Sequence, residues 1–143
     1  MFCPVNSTCQ EAASRYSSLL AGSAVRTPVV ASGNQHVWHL YVVRVARRDA
    51  VLAALQAEGI GAAIHYPVPV HKQPAFDYAA VEGSCPVAER AADEILTPPL
   101  FPGITRPQQE RVADERALHQ ILVNLLGLHV YEEVQTKATG RAQ

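Results

Sequence analysis

A chain of 143 residues with a formal net charge of −1 has room for one domain with a sizeable core. Its charge balance leaves no electrostatic footprint for nucleic acid or an anionic membrane. Hydrophobic residues make up 48% and charged residues 17%, an ordinary globular composition, and no apolar run approaches the ~18 residues that a membrane span requires. Cys3, Cys9 and Cys85 are an odd set without metal-type pairing or a disulfide framework, which points to a reducing, cytoplasmic setting. The N-terminal Met1–Asn6 stretch has no basic region followed by an apolar run, so no signal peptide is expected. Without one, the sequon Asn6-Ser7-Thr8 reads as a coincidence.

Residues 1–10 show no period and read as an unmatched leader. From Glu11 to Leu20, the residues Ala12, Ala13, Tyr16, Leu19 and Leu20 fall near helical spacing, and Gly22 marks the stop. A loop over Thr27–Gly33 follows, containing Pro28. The run His36–Val45 is rich in β-branched and aromatic residues and apolar on both faces in its middle, as a central strand would be. Arg47-Arg48-Asp49 opens a helix through Val51, Leu52 and Leu55, with Gly59 as its left-handed cap. Arg47 and Arg48 read as a solvated helix start.

Ala62-Ala63-Ile64 reads as a buried strand that runs into His65-Tyr66-Pro67-Val68-Pro69-Val70-His71-Lys72-Gln73-Pro74. Two prolines there stop further pairing. Past Phe76-Asp77-Tyr78, Ser84-Cys85-Pro86 starts a helix with proline in its first turn, its inner face expected at Val87, Ala91, Ile95 and Leu96. Two clear strands make a thin sheet, so a third short strand is expected near Ile95–Leu100, or else a missing partner surface. Thr105-Arg106-Pro107-Gln108 is a capping box for a final helix carrying Val112, Ala113, Ala117, Leu118, Ile121, Leu122 and Leu125, closed by Gly127. The tail after Val134 is polar. This order predicts a small α+β domain, a thin sheet covered by helices.

Most reaction chemistries find little support. His36 and His39, at i and i+3 on an expected strand, would face opposite ways and could not chelate together. His65 and His71 could converge across the proline bend, but no Cys, Asp or Glu stands with them in sequence. There is no Gly-x-Ser-x-Gly elbow and no phosphate loop. Cys85 at a helix start reads as a buried structural cysteine before a reactive one, and neither Lys72 nor Lys137 sits in a setting built to form a Schiff base. Glu89 and Asp93, four apart, would share an exposed helical face. Trp38 and Tyr41 read as core anchors. What remains is His65, Tyr66 and His71: rings on stiff backbone that could donate to phosphate or sugar oxygens, or alternatively core residues hydrogen-bonded at a strand end.

A sequence of motifs then carries a family resemblance: His36-Val-Trp-His-Leu-Tyr-Val-Val-Arg44, Leu55 with Gly59-Ile60, His65-Tyr-Pro-x-Pro-x-His71-x-Gln-Pro74, Cys85-Pro-Val-Ala-Glu89, and Leu96-x-x-Pro-Leu-Phe-Pro102. Together they resemble the C-terminal small domain of the DegT/DnrJ/StrS sugar aminotransferases, fold type I pyridoxal-phosphate enzymes that aminate nucleotide-linked keto sugars, usually from glutamate. The resemblance covers about residues 10–115, with 11–33 similar to a linking helix and loop, 34–115 to the small domain, and 116–143 a helical extension without counterpart. It implies a thin, mostly antiparallel sheet. It also implies that Tyr66 and His71, and less directly His65, face a nucleotide-sugar substrate. The family's Schiff-base lysine, its pyridine-pairing aspartate and its phosphate cup would all precede residue 10. The chain alone is therefore expected to hold no pyridoxal phosphate and not to transaminate. It reads as a fragment, with two alternatives: a split-enzyme half completed by a large-domain chain, or a non-catalytic binding or interaction module whose exposed face the added helix or self-association would cover.

Overall fold

The computed structural model describes residues 4–79 and 85–114. Its elements run α1 (Pro4–Leu19), β1 (Val43–Arg44), α2 (Arg48–Ala57), two short 3-10 turns (Val70–Lys72 and Pro74–Ala79), α3 (Pro86–Glu94), β2 (Ile95–Leu96) and α4 (Arg106–Val112). This is an α+β arrangement in which four helices surround a minimal antiparallel sheet.

Helix α1 is described from Pro4, earlier than the expected Glu11, so residues 4–10 of the stretch read as leader are helical. The buried face is Cys9, Ala12, Ala13, Tyr16 and Leu20, the spacing of one helical stripe. Gly22, at φ +79°, turns the chain away after the last helical residues.

The run read as one long central strand is mostly irregular. Only Val43–Arg44 forms regular strand, because Trp38 sits at φ 51° and its N–H donates to the Nδ1 of His36 at 2.8 Å. That local side-chain bond replaces a ladder bond. The sheet still extends beyond its named strands. Arg26 exchanges two 2.9 Å backbone bonds with Arg44 on one side; on the other, Val43 and Arg44 pair with Leu96 and Ile95. Thr97, continuing β2, pairs in turn with Ala63. The order is therefore Arg26, β1, β2 with Thr97, then Ala63, every neighbour antiparallel. The strand expected near Ile95–Leu100 is present and stops at Pro98-Pro99, which cannot donate to a ladder.

Two tyrosines centre the core. Tyr16 and Tyr41 are fully buried with ring centroids 5.3 Å apart. Burying rings of this size contributes about 4–6 kcal/mol each before entropy is counted. Both hydroxyls are satisfied: Tyr16 donates to the Pro99 carbonyl at 2.9 Å, and Tyr41 shares a 2.8 Å bond with Ser17. Burial raises both phenol pKa values above the usual range. Trp38 packs partly buried against Tyr41.

Helix α2 buries Val51 and Leu55 and ends as expected: Gly59 adopts φ +72° and the Ile60 N–H reaches back to the Leu55 carbonyl at 2.9 Å. Its first residue departs from expectation. Arg48 is buried rather than solvated, and its Nη1 donates to the Ala92 carbonyl at 3.0 Å and to the Ile95 carbonyl at 3.3 Å. The end of α3 leaves carbonyls that need donors, and a guanidinium supplies them.

Helix α3 begins with proline after Cys85, as the sequence implied, but its buried residue is Ala92. Val87, expected inside, is exposed, and so is Cys85. The capping box of α4 is formed, with Gln108 Oε1 accepting from the Thr105 N–H at 2.8 Å. Helix α4 closes at Val112 instead of running on as one element; Ala117, Leu118, Ile121, Leu122, Leu125 and Gly127 lie outside the described residues. Its Gln109 is completely buried and clamps α1, donating to the Ala12 carbonyl at 2.8 Å and accepting from Arg15 Nη1 at 2.6 Å. Among the described residues no helix is long and apolar enough to cross a membrane.

Candidate functional site

The ring-bearing segment leaves the sheet at one fixed point. Ala63 and Thr97 exchange backbone bonds of 3.0 and 2.8 Å, and Ala62 beside them is buried. Beyond Ile64 the chain turns outward. His65 is half-buried, and its Nδ1 has no hydrogen-bond partner among the described residues. Tyr66 follows across a cis peptide bond, its ring edge-on to His65 at 5.6 Å. Tyr66 is 71% exposed, so the alternative in which it is a core residue at a strand end does not hold.

Pro67 and Pro69 lead into the 3-10 turn Val70–Lys72. The Lys72 N–H donates to Pro69 at 2.9 Å, the Gln73 N–H to Val70 at 3.1 Å, and the Gln73 side chain to the Val68 carbonyl at 3.1 Å. These bonds fold the segment on itself. Its side-chain polar contacts to the rest of the domain converge on Glu89: His71 Nε2 lies 3.1 Å from Glu89 Oε1, and Lys72 Nζ lies 2.8 Å from Glu89 Oε2. Glu89 Oε1 also accepts from the Cys85 N–H at 3.0 Å, at the start of α3.

Glu89 therefore serves three donors. Lys72 first, then His71 and the Cys85 N–H, hold its carboxyl at a pKa of about 2, below its ordinary 4.5. It is ionised at neutral pH and can only accept, so the His71 nitrogen facing it carries the proton. Sequence reasoning placed Glu89 with Asp93 on a solvated helix face. The structure instead turns it toward the 3-10 segment. The signal that could have revealed it is its position one turn into a helix whose capping residue, Cys85, has no side-chain oxygen to satisfy the first N–H groups.

The segment thus presents two kinds of ring. Tyr66 and half-buried His65 stand at its outer end, while His71, its side chain 15% exposed, points inward to the Glu89 carboxylate. Among the described residues no group of three or more His, Cys, Asp or Glu could hold a metal. His36 is occupied with Trp38, whose ring lies 4.1 Å from its own. An open groove of about 670 Å³ runs elsewhere, along α1 and the start of α4, lined by Gln10, Glu11, Ser14, Arg15, Ser18 and Arg106 among others. Its charges are of both signs, and none of His65, Tyr66 and His71 lines it.

Pyridoxal phosphate needs an available lysine amine, a carboxylate at its ring nitrogen and a cradle for its phosphate. The described lysine, Lys72, is ion-paired with Glu89 and about half exposed. The Glu89 carboxylate serves α3 and the 3-10 turn. The described residues do not fit this cofactor.

The sequence profile of the DegT/DnrJ/EryC1/StrS aminotransferase family matches residues 4–116. The chain is 46% identical over 104 residues to dTDP-3-amino-3,4,6-trideoxy-alpha-D-glucose transaminase of Streptomyces venezuelae, covering 71% of this chain and 27% of that protein. It is 40% identical over 112 residues to UDP-N-acetyl-3-dehydro-alpha-D-glucosamine 3-aminotransferase of Acidithiobacillus ferrooxidans, covering 77% and 30%. The crystal structure of DesV from S. venezuelae superposes with a TM-score of 0.74 at 42% identity, over 81% of this chain and 31% of that one. The chain thus spans less than a third of the length of these relatives.

Proposed function

Since this chain belongs to the DegT/DnrJ/EryC1/StrS aminotransferase family, we propose that its residues 34–114 act as the substrate-facing small domain of a nucleotide-sugar aminotransferase. The overall reaction would move an amino group from glutamate to a nucleotide-linked keto sugar. Similarity to transaminases of dTDP- and UDP-linked sugars supports that substrate class. The observation that carries the reading is the display of Tyr66: a large ring, 71% exposed, at the end of a proline-stiffened segment braced by a carboxylate. An exposed aromatic on rigid backbone suits a sugar or base face, and its hydroxyl suits a phosphate or sugar oxygen. His65, beside it, offers a second polar ring.

In this reading the domain binds and orients the substrate; the pyridoxal phosphate that supplies the family's electron sink is held by groups other than those described. The chain by itself does not transaminate. Its own role is one wall of the site, in the setting of a soluble biosynthetic enzyme of the cytoplasm.

An NMR titration of the full chain tests the reading, with UDP-N-acetylglucosamine and dTDP-glucose as probes. Shifts are expected at residues 65–73 and to be lost in Tyr66→Ala. Shifts confined to the groove along α1 would overturn it. In parallel, borohydride treatment with pyridoxal phosphate is expected to leave no stoichiometric pyridoxyl adduct on any lysine. Such an adduct on Lys72 would refute the division of labour proposed here.

A further inference from the structure

Burial anchors the 66–73 segment chiefly at His71, whose side chain is 15% exposed. Val68 and Val70, its apolar side chains, are 42% and 69% exposed, and Tyr66 is more exposed still. Removing such residues from water supplies the usual force that fixes a loop on a core, and here that force is largely missing. The hydrogen bonds made by Lys72 N–H, Gln73 N–H and the Gln73 side chain all close within the segment. They shape the segment without tying it to the rest of the domain, and so short a turn does not keep its bonds once undocked.

Beyond the partly buried His71 and the Ala63–Thr97 pair that precedes the segment, the side-chain contacts that fix its position converge on Glu89. Glu89 receives His71 and Lys72 from the segment and the Cys85 N–H from its own helix start. Its helix is in turn fixed at the far end, where Arg48 donates to the Ala92 and Ile95 carbonyls. The chain of constraints runs from α2 through α3 to the ring-bearing loop.

We infer that Glu89 is the positioning residue of the substrate-facing segment: it fixes His71 and Lys72 against α3 and thereby sets where Tyr66 stands. It does not touch the substrate. This rests on the reading of that segment as substrate-facing, and the test separates the two. Lys72 and His71 are consequently brace residues, and the ligand contact falls to Tyr66 and His65.

The test uses the full chain with Glu89→Ala, Glu89→Gln and Lys72→Met. Hydrogen exchange is read at the Lys72 and Gln73 amides, with Val51 and Leu55 in α2 as internal controls. Glu89→Ala is expected to speed exchange at the segment about tenfold or more while the α2 amides stay unchanged. Glu89→Gln keeps an acceptor for Cys85 and His71 but loses the ion pair, so it should fall between wild type and alanine, close to Lys72→Met. Carboxyl ¹³C titration supplies a readout that simple destabilisation would not move: the Glu89 midpoint, near 2 in the wild type, should rise toward 4.5 in Lys72→Met. If Glu89→Ala loses protection throughout α2, the two conservative variants decide the matter.

Unchanged segment exchange in Glu89→Ala overturns the inference, as does a Glu89 midpoint indifferent to Lys72. The probe titration is read alongside: a response at Tyr66 that weakens fivefold or more in Glu89→Ala supports positioning. A wild type that shows no response to either nucleotide sugar refutes the substrate-facing reading, while the exchange data still decide whether Glu89 holds the segment.

Discussion

Replacing Arg48 by Met isolates a guanidinium that the sequence alone places in solvent. The structure buries it and gives it two carbonyl acceptors at the end of α3, one at 3.0 Å and one at 3.3 Å. A hydrogen bond from a charged donor contributes about 1.5–3 kcal/mol; the longer contact belongs at or below the weak end of that range. Met preserves most of the aliphatic stem and its packing, so the loss reflects the bonds and the carbonyls left without donors. The expected destabilisation is about 2–4 kcal/mol, against ~0.5 kcal/mol or less for an ordinary surface substitution. The 2.6 Å ion pair from Arg48 to Asp49 is an internal control. Asp49 is 84% exposed, so Asp49→Asn should cost no more than about 1 kcal/mol. Urea unfolding followed by circular dichroism measures both, with the slope unchanged if only native-state bonds are lost. A loss below ~0.5 kcal/mol for Arg48→Met, or equal losses for the two variants, would refute the account of how α3 is anchored.

Tyr16→Phe removes the donor to the Pro99 carbonyl and is expected to cost about 1–2 kcal/mol with no change in fold, measured by the same urea titration. Because burial raises the Tyr16 and Tyr41 phenols above 10.0, stability should hold below pH 10 and fall as pH rises beyond it, where the unfolded chain releases protons that the folded one retains; Tyr16→Phe should flatten that decline. Thiol labelling with peptide mapping should modify exposed Cys85 quickly in the native protein and buried Cys9 only in denaturant. Equal rates would contradict the seating of α1.

Features governed by local chemistry were legible in the sequence. The Thr105 capping box, the Gly59 cap and the proline start of α3 all follow from residues acting within a few positions of one another. The Tyr16 and Leu20 stripe was readable from its period, and the strand at Ile95 from the need of a thin sheet for a further partner. Misreadings occurred where a distant partner decides. Arg48 looks like any basic residue at a helix start, and only the approach of α3 explains its burial. Glu89 looks solvated until His71 and Lys72, far off in sequence, arrive beside it. The His36–Val45 run has strand composition, yet the left-handed Trp38 and its bond to His36 break the ladder. In the candidate site, the motif itself was visible from its rings and prolines. The inward turn of His71 was not, since it depends on that same carboxylate.

The buried Gln109 bears on cooperativity as well as on packing. Its bonds to Ala12 and Arg15 join residues separated by 97 and 94 positions. Closing a loop of that length costs on the order of 4 kcal/mol from the logarithmic term alone, more than either bond returns on its own. The seam between α1 and α4 therefore gains stability only when its apolar contacts at Ala12, Ala13, Tyr16 and Ala113 form with those bonds. The first and last described helices are therefore expected to gain and lose protection together, neither fraying while the other stays seated.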